Sequence, residues 1–150
     1  MKVLIDTNVM LDFLSQRPPF YESANQIIQL CAEERIQGFI AAHSVLNAFY
    51  ILRKAYSEND RKRILLQFLD LVTIIDIGNE NIRECLKNEK FKDLEDCLQE
   101  SCASRCQADY IITRDIEGFS VSDVSVLSPT QFLEVLNLQS STDTDGTTKE

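Results

Sequence analysis

Short apolar runs alternate with longer amphipathic stretches along this chain, and this alternation constrains the fold more than any other feature. The runs typical of strands cover residues 2–5, 38–41, 72–77, 110–112 and 124–127. The stretches with apolar residues at helical spacing cover residues 21–34, 44–56, 60–71, 80–88, 94–105 and 129–136. Short strands separated by helices are typical of an α/β layer fold with a mainly parallel sheet. We therefore expect a three-layer α/β architecture with about five strands flanked by helices.

Length and composition set the number of domains and exclude several classes of protein. With 150 residues and 44% hydrophobic residues, the chain fits one globular domain. The apolar runs are too short for a membrane span, and the run before Asp6 is too short for a signal peptide. We expect a cytoplasmic protein whose domain covers residues 1–138, followed by a disordered acidic tail rich in Ser and Thr over residues 139–150.

The charge and the cysteines each argue against one simple function. The formal net charge of -9 disfavours nucleic-acid binding through a basic surface, because such binding uses Lys and Arg to neutralise phosphates. The odd number of cysteines, five, without a secretion signal disfavours a disulfide framework. Cys102 and Cys106 continue an i, i+4 stripe from Leu94, which predicts the buried face of a helix rather than a metal site.

Acidic residues follow the first and fourth predicted strands. Asp6 comes directly after the first strand, and Asp115 comes three residues after the fourth. Asp93 and Asp96 lie at the start of the helix before the fourth strand, spaced so that both carboxylates share a helix face. Sites in a parallel sheet form beyond the carboxyl ends of its strands. If the first and fourth strands are neighbours, these oxygen ligands meet at one edge and suit Mg²⁺ or Mn²⁺.

Each of these acids also has an ordinary structural role open to it. Asp6 can cap a helix after the first strand, and Asp93 can cap the later helix with Asp96 in its first turn. Asp115 can be a turn residue, and Glu95 is expected on another, solvated face. The combination favours a shared site, because independent caps have no reason to fall on the same edge of a sheet.

Four segments resemble the motifs of the PIN domain family, in the order in which that family has them. The first, over residues 3–12, contains the Asp-Thr-Asn signature after a strand. The others cover residues 43–52, 91–99 and 108–115, and the likeness as a whole spans residues 1–136. One Asp-Thr-Asn alone is a weak signal, whereas four ordered motifs are a strong one.

The resemblance implies a metal-dependent ribonuclease that hydrolyses RNA phosphodiester bonds. Many ribonucleases of this family are the toxins of toxin–antitoxin pairs, and the resemblance implies that role as well. The residues that it implies for catalysis and for binding Mg²⁺ or Mn²⁺ are Asp6, Asp93, Asp96 and Asp115. The hydroxyls that would support them are those of Thr7 and Thr113. The partners that it implies are an RNA substrate, an antitoxin protein and a second copy of the chain in a homodimer.

One position departs from the family pattern. The second motif usually supplies a Glu, and the matching residue here is Asn47. An amide oxygen can ligate a cation, but it is neutral and cannot act as a general base. Asn47 also has a structural alternative, as a residue in the first turn of a helix capped by Ser44. Two hypotheses therefore stand: an active ribonuclease, and a catalytically weak or inactive PIN-like module that binds RNA or protein.

The basic residues near the motifs are candidate phosphate contacts. These are Lys92, Arg114 and Arg53, which can equally lie on solvated helix faces.

Two other chemistries at strand ends are disfavoured. A haloacid-dehalogenase phosphatase needs a second Asp where this chain has Asn8, and a response-regulator receiver needs an acidic pair and a Lys that are missing from the corresponding positions.

Overall fold

The computed structural model describes the backbone of residues 1–144 and the side chains of residues 1–141. The strands are β1 (Lys2–Ile5), β2 (Gln37–Ala41), β3 (Thr73–Ile75), β4 (Tyr110–Ile112) and β5 (Val126–Leu127). The helices are α1 (Thr7–Leu14), α2 (Tyr21–Ala32), α3 (Ala42–Ile51), α4 (Glu58–Leu69), α5 (Asn79–Lys87), α6 (Leu94–Arg105) and α7 (Pro129–Thr144). Two short 3₁₀ turns cover Leu52–Lys54 and Glu117–Phe119.

The five strands form one parallel sheet in the order β3-β2-β1-β4-β5. β1 is central and pairs with β4, with Ile5 opposite Ile112. The next residue continues this pairing, because the backbone N–H of Asp6 donates to the carbonyl of Ile112 at 3.0 Å. The predicted neighbourhood of the first and fourth strands is confirmed, and it brings the ends of both strands to one edge.

Helices cover both faces of the sheet. Val3 and Ile5 point to a core shared with α1, α2, α3, α4 and α7. Leu4 points to the other face, where it packs with Cys102 of α6 and with Phe119. Because successive strand side chains point to opposite faces, a strand buried on both sides is apolar throughout. This explains the short continuous apolar runs, and it confirms the predicted α/β fold.

Most predicted elements are present, with shifted ends. β1, α6 and β4 have the predicted bounds. Helix α1 was expected only as a possible continuation after a cap, because its eight residues are too few for a clear helical period. Helix α3 begins at Ala42 and its N-cap is Ala41, so the expected Ser44 cap is wrong. Ser44 is instead buried inside the helix.

The expected domain boundary at residue 139 is wrong in part, because α7 continues to Thr144. The hydroxyls of Ser140 and Ser141 donate to the carbonyls four residues earlier, at 3.1 and 3.0 Å. Such bonds within a helix allow Ser to continue it. Residues 145–150 of the expected tail lie outside the described residues.

The cysteines are packing residues, as predicted. All five are free and buried. Burial raises the pKa of Cys102 to about 11, which keeps this thiol protonated and unreactive at neutral pH. Leu94, the first member of the predicted stripe, is 42% exposed, so the buried part of the stripe begins at Leu98. In the part of the chain that the structure describes, no helix is long and apolar enough to cross a membrane.

Candidate metal site at the carboxyl edge of the sheet

Asp6 stands at the junction of β1 and α1, and only 6% of it is exposed. Its Oδ1 accepts the backbone N–H of Thr7 at 2.7 Å, and its Oδ2 accepts the hydroxyl of Thr113 at 2.7 Å. Asp6 is therefore the N-cap of α1, and its carboxylate also faces the sheet edge. Burial raises the pKa of Asp6, although the two hydrogen bonds lower it. The charges of Glu95 and Asp115 raise this pKa further.

A small set of polar bonds ties the end of β1 to the end of β4. Asn8 donates its side-chain amide to the Thr113 hydroxyl at 3.2 Å, and its Oδ1 accepts the backbone N–H of Arg114 at 3.3 Å. The same Thr113 hydroxyl accepts the backbone N–H of Asp115 at 3.0 Å. The predicted supporting role of Thr113 thus has a geometric basis. Asn8 supports the same junction, a role that its sequence position did not suggest.

Asp96 and Asp115 approach each other beside Gly118. A Cβ added at Gly118 would lie 2.6 Å from Asp115 Oδ2 and 2.7 Å from Asp96 Oδ2. The space between the two carboxylates is thus kept open by the absence of a side chain. Burial raises the pKa of Asp96 to about 7, and the charges of Asp6 and Asp93 are the next largest causes. The acids therefore lie close enough to repel one another.

Asp93 is the N-cap of α6, which is one of the two roles that the sequence left open. Its Oδ1 accepts the backbone N–H groups of Glu95 at 2.8 Å and Asp96 at 3.2 Å. The side chain is exposed, and the bonds orient the first turn of the helix. Asp93 therefore holds Asp96 in place, and its charge is near enough to raise the pKa of Asp96.

Glu95 lies at the acidic edge, so the expectation that it points to another face is wrong, although the side chain is partly solvated as expected. Its Oε1 accepts the side-chain amide of Asn47 at 3.0 Å and the hydroxyl of Thr7 at 3.3 Å. His43 Nε2 lies 3.7 Å from the same oxygen, but burial lowers the pKa of His43 and disfavours an ion pair at neutral pH. The Glu95 side chain is 45% exposed. It thus bridges α6 and α3 at the edge of solvent.

A buried polar network lies beneath Glu95. The hydroxyls of Thr7 and Ser44 are 2.7 Å apart, and the amide nitrogen of Gln99 donates to them at 3.2 and 2.9 Å respectively. Ser44 and Gln99 have no exposed surface. Among the described residues, Gln99 Oε1 has no hydrogen-bond partner. Burying such groups costs stability unless they are paired, so the network is an unusual feature of this core.

Arg114 is paired with a buried acid. Its Nε donates to Asp12 Oδ2 at 2.6 Å, and a second nitrogen donates to Asp12 Oδ1 at 3.1 Å. Asp12 is wholly buried, and the guanidinium also stacks on the ring of Phe20 at 3.9 Å. This two-point pairing fixes the guanidinium, and 30% of the Arg114 side chain is still exposed. The phosphate contact at Arg114 stays a prediction.

The other two candidate phosphate contacts are at the surface. Arg53 stacks on the ring of Tyr50 at 3.6 Å and donates to the Tyr50 carbonyl at 2.8 Å. Lys92 is exposed and immediately precedes Asp93. Lys92 is thus placed near the acidic edge, whereas Arg53 lies beyond the last turn of α3.

The donor set fits a hydrated divalent cation. In the described part of the chain, no three His, Cys, Asp or Glu side chains form a ready-made metal cage. Asp96 and Asp115 do converge on the space beside Gly118, and Asp6 is near enough to couple with both. Mg²⁺ commonly keeps several waters and uses one or two carboxylates, and Mn²⁺ also prefers oxygen ligands. Asp6 can therefore take part directly or through a water.

Comparison with known proteins agrees with this fold. The family model described as PIN domain matches residues 2–117. The chain therefore belongs to the PIN domain family, and the predicted resemblance is confirmed. Ribonuclease VapC1 of Aquifex aeolicus (strain VF5) is 26% identical over 143 residues, which cover 91% of this chain and 96% of that protein.

Two solved structures illustrate the structural likeness. The toxin–antitoxin complex from Klebsiella pneumoniae contains a chain that is 26% identical, with a TM-score of 0.61 over 85% of this chain and 97% of that one. A chain of VapBC2 from Rickettsia felis, bound to a promoter DNA fragment, is 19% identical. Its TM-score is 0.63 over 85% of this chain and 98% of that one, which supports the fold alone.

Proposed function

We propose that this protein is an endoribonuclease that depends on Mg²⁺ or Mn²⁺ and hydrolyses RNA phosphodiester bonds. Asp6, Asp96 and Asp115 are the proposed ligands of the ion. The observation that carries the proposal is the approach of Asp96 and Asp115 to one open space beside Gly118, next to the end of β1. The similarity to a ribonuclease from Aquifex aeolicus supports RNA as the substrate.

Each residue of the edge has a distinct part in the proposed chemistry. A divalent cation at these carboxylates would hold phosphate oxygens and make an attacking hydroxide available near neutral pH. Thr113 and the N–H of Thr7 hold both oxygens of Asp6, so its carboxylate keeps one orientation. The Asp93 cap orients the turn that carries Asp96. The residues that orient the ligands thus come from the start of α1, the end of β4 and the start of α6.

The acidic surface gives the proposal a further condition. The net charge of -9 repels RNA, and the proposed ligands are three of the negative charges responsible. A cation at the edge would neutralise part of this charge where a phosphate would approach. The exposed Lys92 lies next to Asp93 at the same edge. We therefore expect RNA to bind weakly without the ion and more tightly with it.

The direct experiment is RNA cleavage by the purified protein with Mn²⁺, with Mg²⁺ and with a chelator. We expect cleavage with either ion and loss of cleavage in chelator. Asp6→Asn should abolish cleavage, whereas Asp123→Asn, an exposed acid that precedes β5 at the opposite edge, should not. Equal activity of the Asp6 variant, or full activity in chelator, would refute the proposal.

We further propose that the protein acts as the toxin of a toxin–antitoxin pair. The likeness to a chain of the toxin–antitoxin complex from Klebsiella pneumoniae supports an antitoxin protein as its partner, and we expect the chain to form a homodimer. Expression of the protein alone should then arrest growth, and Asp6→Asn should remove the arrest. Co-expression of a small protein encoded beside it should also relieve the arrest. Growth without any arrest would argue against the toxin role.

The alternative function is a catalytically weak or inactive module that binds RNA or protein. The neutral Asn47 favours it, because an amide cannot supply the charge or the basicity of a carboxylate. Titration with Mn²⁺ separates the two functions. No binding at millimolar Mn²⁺, together with retained RNA or protein binding, would support the module.

A further inference from the structure

Glu95 and Asn47 form an amide–carboxylate pair across the gap between α6 and α3. We propose that Glu95 is a further acid of the candidate metal site and that Asn47 and Thr7 are its positioning residues. This inference rests on the proposed function, because it adds an acid to the same site. Nothing in the motif pattern assigned a role to Glu95.

The first support is the direction of the bonds to Glu95. Asn47 and Thr7 both donate to Oε1, at 3.0 and 3.3 Å. Two donors on one oxygen restrict rotation of the carboxylate. Neither bond uses Oε2, which is therefore the oxygen left for a cation. The carboxylate is held by one oxygen and presents the other.

The second support is electrostatic. Glu95 is one of the charges that raise the pKa of Asp6 and the pKa of Asp96. Asp6 caps α1 and Asp96 lies in α6, so a group that affects both lies towards the space between these two helices. A carboxylate directed into bulk solvent would be screened from both. The charge of Glu95 therefore acts on the site.

The third support is the buried network under Thr7. The Thr7 hydroxyl has one proton, and donating it to Glu95 requires Thr7 to accept from its other partners. Ser44 and Gln99 meet this requirement, because Gln99 donates to both hydroxyls and Ser44 can donate onward to Thr7. A chain of donors thus runs from Gln99 to Glu95. It explains why a wholly buried Gln99 amide lies at this place.

The decisive experiment exchanges the amide and the carboxylate without changing the shape of either side chain. Mn²⁺ affinity is measured by calorimetry on the full chain for Glu95→Gln, Asn47→Asp and the double variant. We expect about a 10-fold loss of affinity in Glu95→Gln, the size typical for residues that support a metal site. The double variant again has one carboxylate, at position 47, next to one amide, at position 95. We expect it to regain most of the lost Mn²⁺ affinity.

Thr7 tests the positioning role separately. Thr7→Val removes the hydroxyl at similar volume and should weaken Mn²⁺ binding, while Thr7→Ser keeps the hydroxyl and should retain it. Glu84→Gln, on the exposed surface of α5, is the matched control and should bind as the wild type does. Thermal midpoints of all variants show which of them fold.

The outcomes separate this inference from the proposed function. Asp6→Asn is titrated alongside, and retained Mn²⁺ affinity in that variant would overturn the proposed metal site itself. If Asp6→Asn loses the ion while Glu95→Gln binds within twofold of the wild type, only the role of Glu95 is overturned. A double variant as weak as Glu95→Gln alone would also overturn it. Equal loss in Thr7→Val and Thr7→Ser would overturn the positioning role.

Discussion

Gly118→Ala is a minimal change that probes the space between two proposed ligands. Gly118 lies in the 3₁₀ turn Glu117–Phe119, and the described glycines have no positive φ. Alanine is therefore compatible with the backbone, and it reduces the entropy of the unfolded chain by an amount worth about 0.4–1 kcal/mol. We expect the fold of the metal-free protein to tolerate the substitution.

The size of the expected loss of activity in Gly118→Ala follows from two distances. The new methyl would lie 2.6 Å from Asp115 Oδ2 and 2.7 Å from Asp96 Oδ2, where ordinary contacts begin at 3.4 Å. Each carboxylate must therefore move by several tenths of an ångström, and the methyl also fills the space in which a cation would lie. A misplacement approaching ~1 Å can cost about 100-fold in rate. That factor corresponds to roughly 2.7 kcal/mol in activation free energy.

The assay combines the rate of Mn²⁺-dependent RNA cleavage, Mn²⁺ affinity and the thermal midpoint. The matched control is Gly78→Ala, whose Cβ would have Asn81 Oδ1 as its nearest neighbour at the ordinary distance of 3.6 Å. We expect Gly118→Ala to lose activity and affinity with little change in midpoint, and Gly78→Ala to keep both. Wild-type rate and affinity in Gly118→Ala would refute the placement of the ion between Asp96 and Asp115.

Three further outcomes follow from the same structure. Because the folded-state pKa of Asp96 is about 7, against 3.8 ordinarily, the metal-free protein should lose stability as the pH rises from about 4 to 7. Asp96→Asn should flatten this dependence in urea melts with chelator. Arg114→Ala leaves buried Asp12 with a longer contact to Arg17 at 3.9 Å, and should cost about 2–3 kcal/mol of unfolding free energy. The five buried thiols should react with a thiol reagent only after unfolding.

Each of these expectations has a result that contradicts it. Stability that rises between pH 4 and 7 in chelator, with no difference in Asp96→Asn, would contradict the repulsion at the edge. A stable Arg114→Ala with much weaker RNA binding would contradict the structural role of Arg114 and favour the predicted phosphate contact. Rapid labelling of the native protein would contradict the burial of the cysteines.

The sequence by itself determined the elements whose pattern is local. The run Val3–Ile5 is apolar because β1 is buried on both faces, and α6 has a long enough stripe to set its period. The order of the motifs also placed Asp6 and Asp115 at strand ends. Because parallel strands end at a common edge, this was enough to predict that these acids are neighbours.

Tertiary structure alone decided which neighbours each side chain has. Arg114 pairs with Asp12 across 102 positions of sequence, which gives it a structural role that the motif pattern did not indicate. Glu95 contacts Asn47 across 48 positions, which turns a residue expected to be solvated towards the acidic edge. Neither pairing can be predicted from periodicity in the sequence. Each pairing depends on how two packed elements are oriented relative to each other, and not on the spacing of residues within one element. The local sequence pattern was enough to predict which residues lie at the carboxyl edge of the sheet. The directions in which their side chains point were set by packing between α1, α3 and α6.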